Sequence, residues 1–223
     1  MAILFVLLCL FGWTIFLSFV WGEIQYKHDI VFFGTGIVLI VLSIFLDKTE
    51  LPDYEQYVVY FRIAGDKLSL EPTLVFLSYL IRIFFNNEVF WGFVLYLLFG
   101  VTVKLVAIKR LSNLCFLSLS FYISSYWIYH EMIQIRAGVA SAFFLMSLKP
   151  LYERKLKYFL IYALIAISFH YSAILILPLW FLNSSLKNRV FYTLLIPICM
   201  LLYVLHLDFI TLLRYLPVPY IQN

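Results

Sequence analysis

Apolar residues fill long stretches of this chain with little of the alternation that marks a half-buried soluble helix. The stretches cover residues 3–21, 30–46, 89–108, 114–129, 132–148, 158–182 and 190–205. A helix crosses hydrocarbon in about 20 residues at about 1.5 Å each, so these predict seven membrane segments. An eighth, residues 73–85, contains Arg82 and reaches only about 20 Å, which predicts a short re-entrant or interfacial helix. Pro72 suits the start of that helix, where a missing N–H costs nothing, and Glu71 lies at the positive end of its dipole. The pattern predicts an all-α, polytopic membrane helix bundle of seven or eight segments. It forms a single transmembrane domain over residues 1–223, with a long loop at 47–71.

Composition strengthens this reading. The 223 residues are 65% hydrophobic and 13% charged, with a mean hydropathy of +0.99. Soluble domains carry about 25% charged residues, so a water-soluble enzyme is excluded. The net charge of +4 comes from sixteen cations scattered between apolar runs. That scatter lacks the basic face nucleic acid requires and fits loop charges that orient helices in a lipid bilayer. Cys9, Cys115 and Cys199 are too far apart to suggest a metal or disulfide framework, so they read as packing residues, and no cofactor is expected. The first stretch lacks a basic leader and a small-residue cleavage site, and reads as a retained helix. Trp13, Trp21, Trp91, Trp127 and Trp180 fall toward segment ends, as in an aromatic belt.

If residues 73–85 span, alternate loops gather eleven of the sixteen cations on one side, and the 47–71 loop is cytoplasmic. If they do not span, that loop joins the opposite side and the cytoplasm keeps nine. The basic loop from Lys149 to Lys157 is cytoplasmic either way.

Ionisable groups inside spans are costly, and those present need a reason. Arg136 lies about one turn into its segment, in Gln134-Ile135-Arg136-Ala137-Gly138. Its guanidinium could grip a phosphate with a fixed fork of donors, or snorkel to the interface. Gly138 and Ala142 beside it permit close helix packing. His170, in Ser168-Phe169-His170-Tyr171-Ser172-Ala173, lies near the middle of its apolar run. It could move a proton near neutral pH, or hydrogen-bond across a helix interface. Lys104 is expected to snorkel from the end of its helix. The 47–71 loop holds Asp53, Tyr54, Glu55, Gln56, Tyr57, Tyr60, Arg62 and Asp66. Carboxylates beside tyrosines suit carbohydrate, and they equally suit a solvated loop.

Asp53-Tyr54 with Tyr57, Glu71-Pro72, Arg136 with Ala140, and Phe169-His170 with Ser172-Ala173 occur in an order and spacing that resemble the EpsG-like family of Wzy-type polysaccharide polymerases. The resemblance spans most of the chain. It departs where Asp47-Lys48-Thr49-Glu50-Leu51-Pro52 replaces a Gly-Thr before the loop aspartate, and where Ala137 replaces a glutamine. It implies a membrane glycosyltransferase of the bacterial inner membrane that joins isoprenoid-pyrophosphate-linked oligosaccharides with inversion, its long loop facing outward. A flippase and a chain-length regulator are the expected partners.

Within that resemblance Arg136 is expected to hold pyrophosphate, with Gln134 and Arg62 contributing to substrate binding. His170, Asp53 and Glu71 are the candidate catalytic groups, and Tyr54 with Tyr57 the stacking surface. Family members are typically longer, so the chain is expected to be a C-terminally truncated or short member. The competing classes are a lipid-linked saccharide flippase, for which no internal repeat is visible, and a membrane acyltransferase built on His170.

Overall fold

A computed structural model describes residues 2–20, 28–47, 49, 51–63, 71–86, 88–182, 193–194, 197–198 and 200–201. These residues are all-helical. The chain divides into two compact units, Met1–Trp180 and Phe181–Asn223, and the first carries every feature discussed below. Its helices are α1 (Ala2–Val20), α2 (His28–Phe45), α3 (Tyr54–Ile63), α4 (Pro72–Phe84), α5 (Val89–Leu111), α6 (Cys115–Ser125), α7 (Ile135–Tyr152) and α8 (Leu156–Phe169). A π-helical corner, Ile128–Ile133, precedes α7, and a 3₁₀ helix, Tyr171–Phe181, follows α8.

Two helices, α2 and α5, are long and apolar enough to cross a membrane, and several shorter apolar helices accompany them. Large apolar side chains point outward along these helices, Phe19 and Phe45 both at 85% exposure. Water penalises such faces and hydrocarbon accepts them, so the chain is a membrane protein.

The predicted segments at 3–21, 30–46 and 89–108 coincide with α1, α2 and α5, and the short segment at 73–85 with α4. Pro72 occupies the first turn of α4 as expected. Elsewhere the structure departs from the pattern. The run predicted at 114–129 leaves the α-helix after Ser125, because Glu131 turns inward and the chain widens into the π corner. The run predicted at 158–182 breaks at His170, where the backbone is extended (φ −155°, ψ 120°). The 47–71 loop contains α3, which its polar composition hid. The segment at 190–205 lies outside the described residues apart from isolated positions, as do Trp21 and Cys199. Trp127 is not part of an aromatic belt: it is fully buried.

Two apolar clusters organise the first unit, and α5 serves both. Phe93 and Tyr96 of α5 join Tyr57, Phe61, Leu74, Val139 and Ala163 in one. Leu97, Val101 and Leu105 of the same helix join Phe32, Leu39, Leu119 and Trp127 in the other. In lipid such packing stabilises by close contact more than by exclusion of water, which favours small residues where helices meet. Ala163 and Ala166 of α8 are fully buried, and α7 packs most extensively on α8 and α5. Gly138, read as a contact between helices, instead lies against the backbone carbonyl of His130 in the π corner, where a Cβ would collide.

Lys104 does not snorkel. It is 2% exposed and bonded to Glu131 of the π corner, a partner that sequence spacing alone does not pair with it.

Candidate active site

Three residues far apart in sequence converge where α3, α4, α7 and α8 meet. Glu71 immediately precedes α4, and its backbone carbonyl accepts the first helical bonds from Leu74 and Val75. Its side chain does not cap the helix and turns to a guanidinium and an imidazole instead. Arg136 Nη1 donates to Glu71 Oε2 at 2.5 Å. His170 Nδ1 lies 3.2 Å from Glu71 Oε1. Each carboxylate oxygen therefore has its own partner.

Local sequence explains why the three meet. Pro72 starts α4 without needing an N–H donor, which places Glu71 at the helix mouth. Thr73 Oγ1 then donates to the carbonyl of Ser168 at 2.6 Å, satisfying one of the acceptors left over at the end of α8. That bond ties the beginning of α4 to the end of α8. His170, just past that end, is thereby delivered to Glu71. The expectation of a mid-helix histidine is corrected: the break frees the imidazole from the helix wall and leaves its side chain 32% exposed.

Arg136 enters from the first turn of α7. Its guanidinium lies 4.8 Å from the Tyr60 ring centroid and 5.5 Å from that of Tyr57, within cation–π range. Its Nε is buried and has no hydrogen-bond partner among the described residues. A buried donor left open is unusual. Arg136 does not snorkel, because its charge is spent inward on Glu71.

Of the other candidates, Tyr57 borders this cluster through Arg136, and no described contact joins the rest to it. Tyr57 is 4% exposed and set edge-on against Phe93, so its ring offers no open face for a sugar. It packs there and borders Arg136. Tyr54 is half-buried and stacks on Phe93 at 5.5 Å between centroids. Asp53 is half-buried at the start of α3, where its carbonyl accepts from the Tyr57 N–H. No described contact joins its carboxylate to Glu71, Arg136 or His170. Arg62 is exposed at the end of α3, and Gln134 is half-buried just before α7, without a described side-chain hydrogen bond. Asp66 lies outside the described residues. Sequence reasoning missed the structural parts played by Thr73, Tyr60, Tyr96 and Glu131. For Glu131, a carboxylate amid apolar runs was itself a signal.

Glu71 sits in the loop outside the spans, where burial pushes its carboxyl upward. The hydrogen bond to His170, its own backbone N–H and the Arg136 charge outweigh that, and the group ends below its ordinary value of 4.5. A carboxylate depressed on folding stabilises above its unfolded value, and that stabilisation is lost as pH falls through the folded value. The purified protein is therefore expected to melt progressively lower as pH drops below about 4.5. Glu71→Gln should flatten that acid limb, and an undiminished limb in the variant would assign it to other carboxylates.

A model of the EpsG family matches residues 30–222, a range containing α3 through α8 and all three clustered residues. The chain is a member of the EpsG family. No curated protein and no solved structure matches it. The EpsG family is associated with polysaccharide polymerases, and membership together with the apolar helices makes the chain a membrane protein of polysaccharide biosynthesis. The described residues of the matching range up to Trp180 belong to one compact unit.

Proposed function

We propose that this chain is a Wzy-type polysaccharide polymerase, an inverting glycosyltransferase acting on isoprenoid-pyrophosphate-linked oligosaccharides. The observation that carries the reading is the convergence of Glu71, Arg136 and His170 in a member of the EpsG family. In the reaction an acceptor hydroxyl on one lipid-linked repeat unit attacks the anomeric carbon of a second glycan. The new C–O bond forms as the bond to pyrophosphate breaks, and the pyrophosphate leaves with the electron pair.

Each clustered residue has a part. Arg136 holds the pyrophosphate through donors that Glu71 does not use, so charge developing on the leaving group meets a guanidinium already in place. His170 takes the hydroxyl proton on Nε2 while Nδ1–H donates to Glu71. That bond selects the tautomer and orients the ring, as carboxylates do for catalytic imidazoles generally. Glu71 thus becomes the anchor of the guanidinium and the imidazole in place of a general base, since both its oxygens are engaged and its proton affinity is low. Asp53, Tyr54, Arg62 and Gln134 lie on the surrounding helices as candidates for the sugar portions of the substrate.

Seven or eight membrane segments with α4 re-entrant bring the 47–71 loop to the outer face of the bacterial inner membrane. A flippase supplies the lipid-linked units there, and a chain-length regulator is a suitable partner. The test is a gel ladder of surface glycan from cells lacking the gene. Loss of the ladder down to single repeat units, restored by the wild-type sequence, supports polymerisation. Units accumulating on the cytoplasmic face would transfer the assignment to a flippase.

A further inference from the structure

The most deeply buried ion pair in the described structure lies outside the Glu71 cluster. Lys104 of α5 and Glu131 of the π corner are 2% and 1% exposed and bonded to each other. Tyr122 of α6 adds a hydroxyl that donates to Glu131 Oε1 at 2.8 Å, and its ring lies 5.3 Å from Lys104 Nζ. Gly100, one turn before Lys104, leaves the room the carboxylate occupies, since a Cβ there would collide with it. Two helices, α5 and α6, therefore hold the one acidic side chain of the corner.

A pair of this kind is expensive. Replacing a buried ion pair with well-packed apolar residues is often neutral or stabilising, and lipid raises the cost of each charge. Stability alone is a weak reason for its presence, whereas fixing one geometry is a use for which such groups are known. The geometry at stake is the entry to α7. Glu131 precedes Arg136 by five residues. Between them Gln134 leaves helical geometry (φ −100°, ψ 59°), so no continuous helix sets the direction of α7 relative to the π corner. Glu131 pins one side, and the seating of Gly138 on the His130 carbonyl pins the other.

We infer that Lys104, Glu131 and Tyr122 are positioning residues that fix the entry to α7 and so set the reach of Arg136 to Glu71 and to the leaving pyrophosphate. The second half of this inference rests on the function proposed above; the first half, the placement of Arg136 on Glu71, does not.

The test uses the full chain in lipid nanodiscs, with two readouts. The double variant Lys104→Met/Glu131→Met removes both charges at once and leaves neither unpaired, so it is expected to insert and fold. Tyr122→Phe, which deletes one hydroxyl, is the second variant should the double one fail to insert. In the wild-type background Glu71→Gln flattens the acid limb of the melting profile. In either variant background the same change should flatten it less, by the part that Arg136 supplies, while the His170 and backbone hydrogen bonds to Glu71 keep the rest. A merely structural role would lower melting at every pH and leave that coupling whole.

The second readout is the KM for a lipid-linked repeat unit, expected to rise about 5-fold or more if one hydrogen bond's worth of Arg136 placement is lost. Undiminished coupling overturns the inference whatever the kinetics show. Coupling lost in the variants, together with a wild-type protein that does not polymerise, overturns the proposed function and upholds the placement of Arg136.

Discussion

Glu71→Gln is expected to lower repeat-unit joining by about 10³-fold or more, because the amide cannot anchor a guanidinium and an imidazole together. The change acts on both sides of the reaction. Without the carboxylate His170 loses the acceptor that selects its tautomer, and the Arg136 charge, 15% exposed as a side chain, loses its counter-ion. Removing one partner of a buried pair costs about 3–5 kcal/mol, and the retained amide oxygen places the expected loss at the lower end. The measurement is polymer formed per unit of membrane-inserted protein, so that lost folding is counted separately from lost chemistry. Activity within a fewfold of wild type, at equal insertion, would remove Glu71 from the site.

His170→Ala is expected to separate chemistry from folding more cleanly. His170 lies at the end of α8, bonded to one oxygen of Glu71 and 32% exposed as a side chain. Its removal leaves the Glu71–Arg136 pair and the Thr73–Ser168 tie in place. Insertion and melting should stay close to wild type, while joining falls by about 10²–10⁴-fold, the usual contribution of a proton-transfer group. Arg136 still binds the substrate, so KM should change far less than kcat. A variant that loses its fold and keeps its specific activity would make His170 an ordinary interface hydrogen bond.

How much of this could be read from the sequence depends on what each feature required. Hydropathy located α1, α2 and α5, because an apolar run of membrane length has few other uses. Pro72 and the dipole argument located the start of α4. Arg136 and His170 were legible as ionisable groups in apolar runs, and Glu71 as the acid beside the proline. Their meeting was not legible. Glu71 and Arg136 are 65 residues apart, Glu71 and His170 are 99 apart, and periodicity carries no information over such distances. The bond from Thr73 to a backbone carbonyl is equally silent, since any residue could have supplied that carbonyl.

Two misreadings share a cause. Lys104 was expected to snorkel, and the run at 114–129 to continue as one helix. Both expectations fail because Glu131 reaches Lys104 across a corner that hydropathy alone treats as a gap. A lone intramembrane cation invites the snorkelling reading until its counter-charge is sought on another segment. Tyr57 was read from its place beside acids as a sugar face, and what the sequence did not show is that its position on α3 turns the ring into the core against Phe93. For a short helix hidden in a polar loop, the direction of one ring is set by tertiary packing.

The central claim is that Glu71 holds Arg136 and His170 together for transfer of a glycan from isoprenoid pyrophosphate. The most direct measurement is a reconstituted reaction: purified wild-type protein in lipid vesicles with one defined lipid-linked repeat unit, products resolved by length and by anomeric configuration. The account predicts a ladder of longer glycans with inverted linkages and release of free isoprenoid pyrophosphate. That ladder should be absent with Glu71→Gln and with His170→Ala at equal protein. Linkages that retain the donor configuration, or a ladder undiminished in either variant, would contradict it.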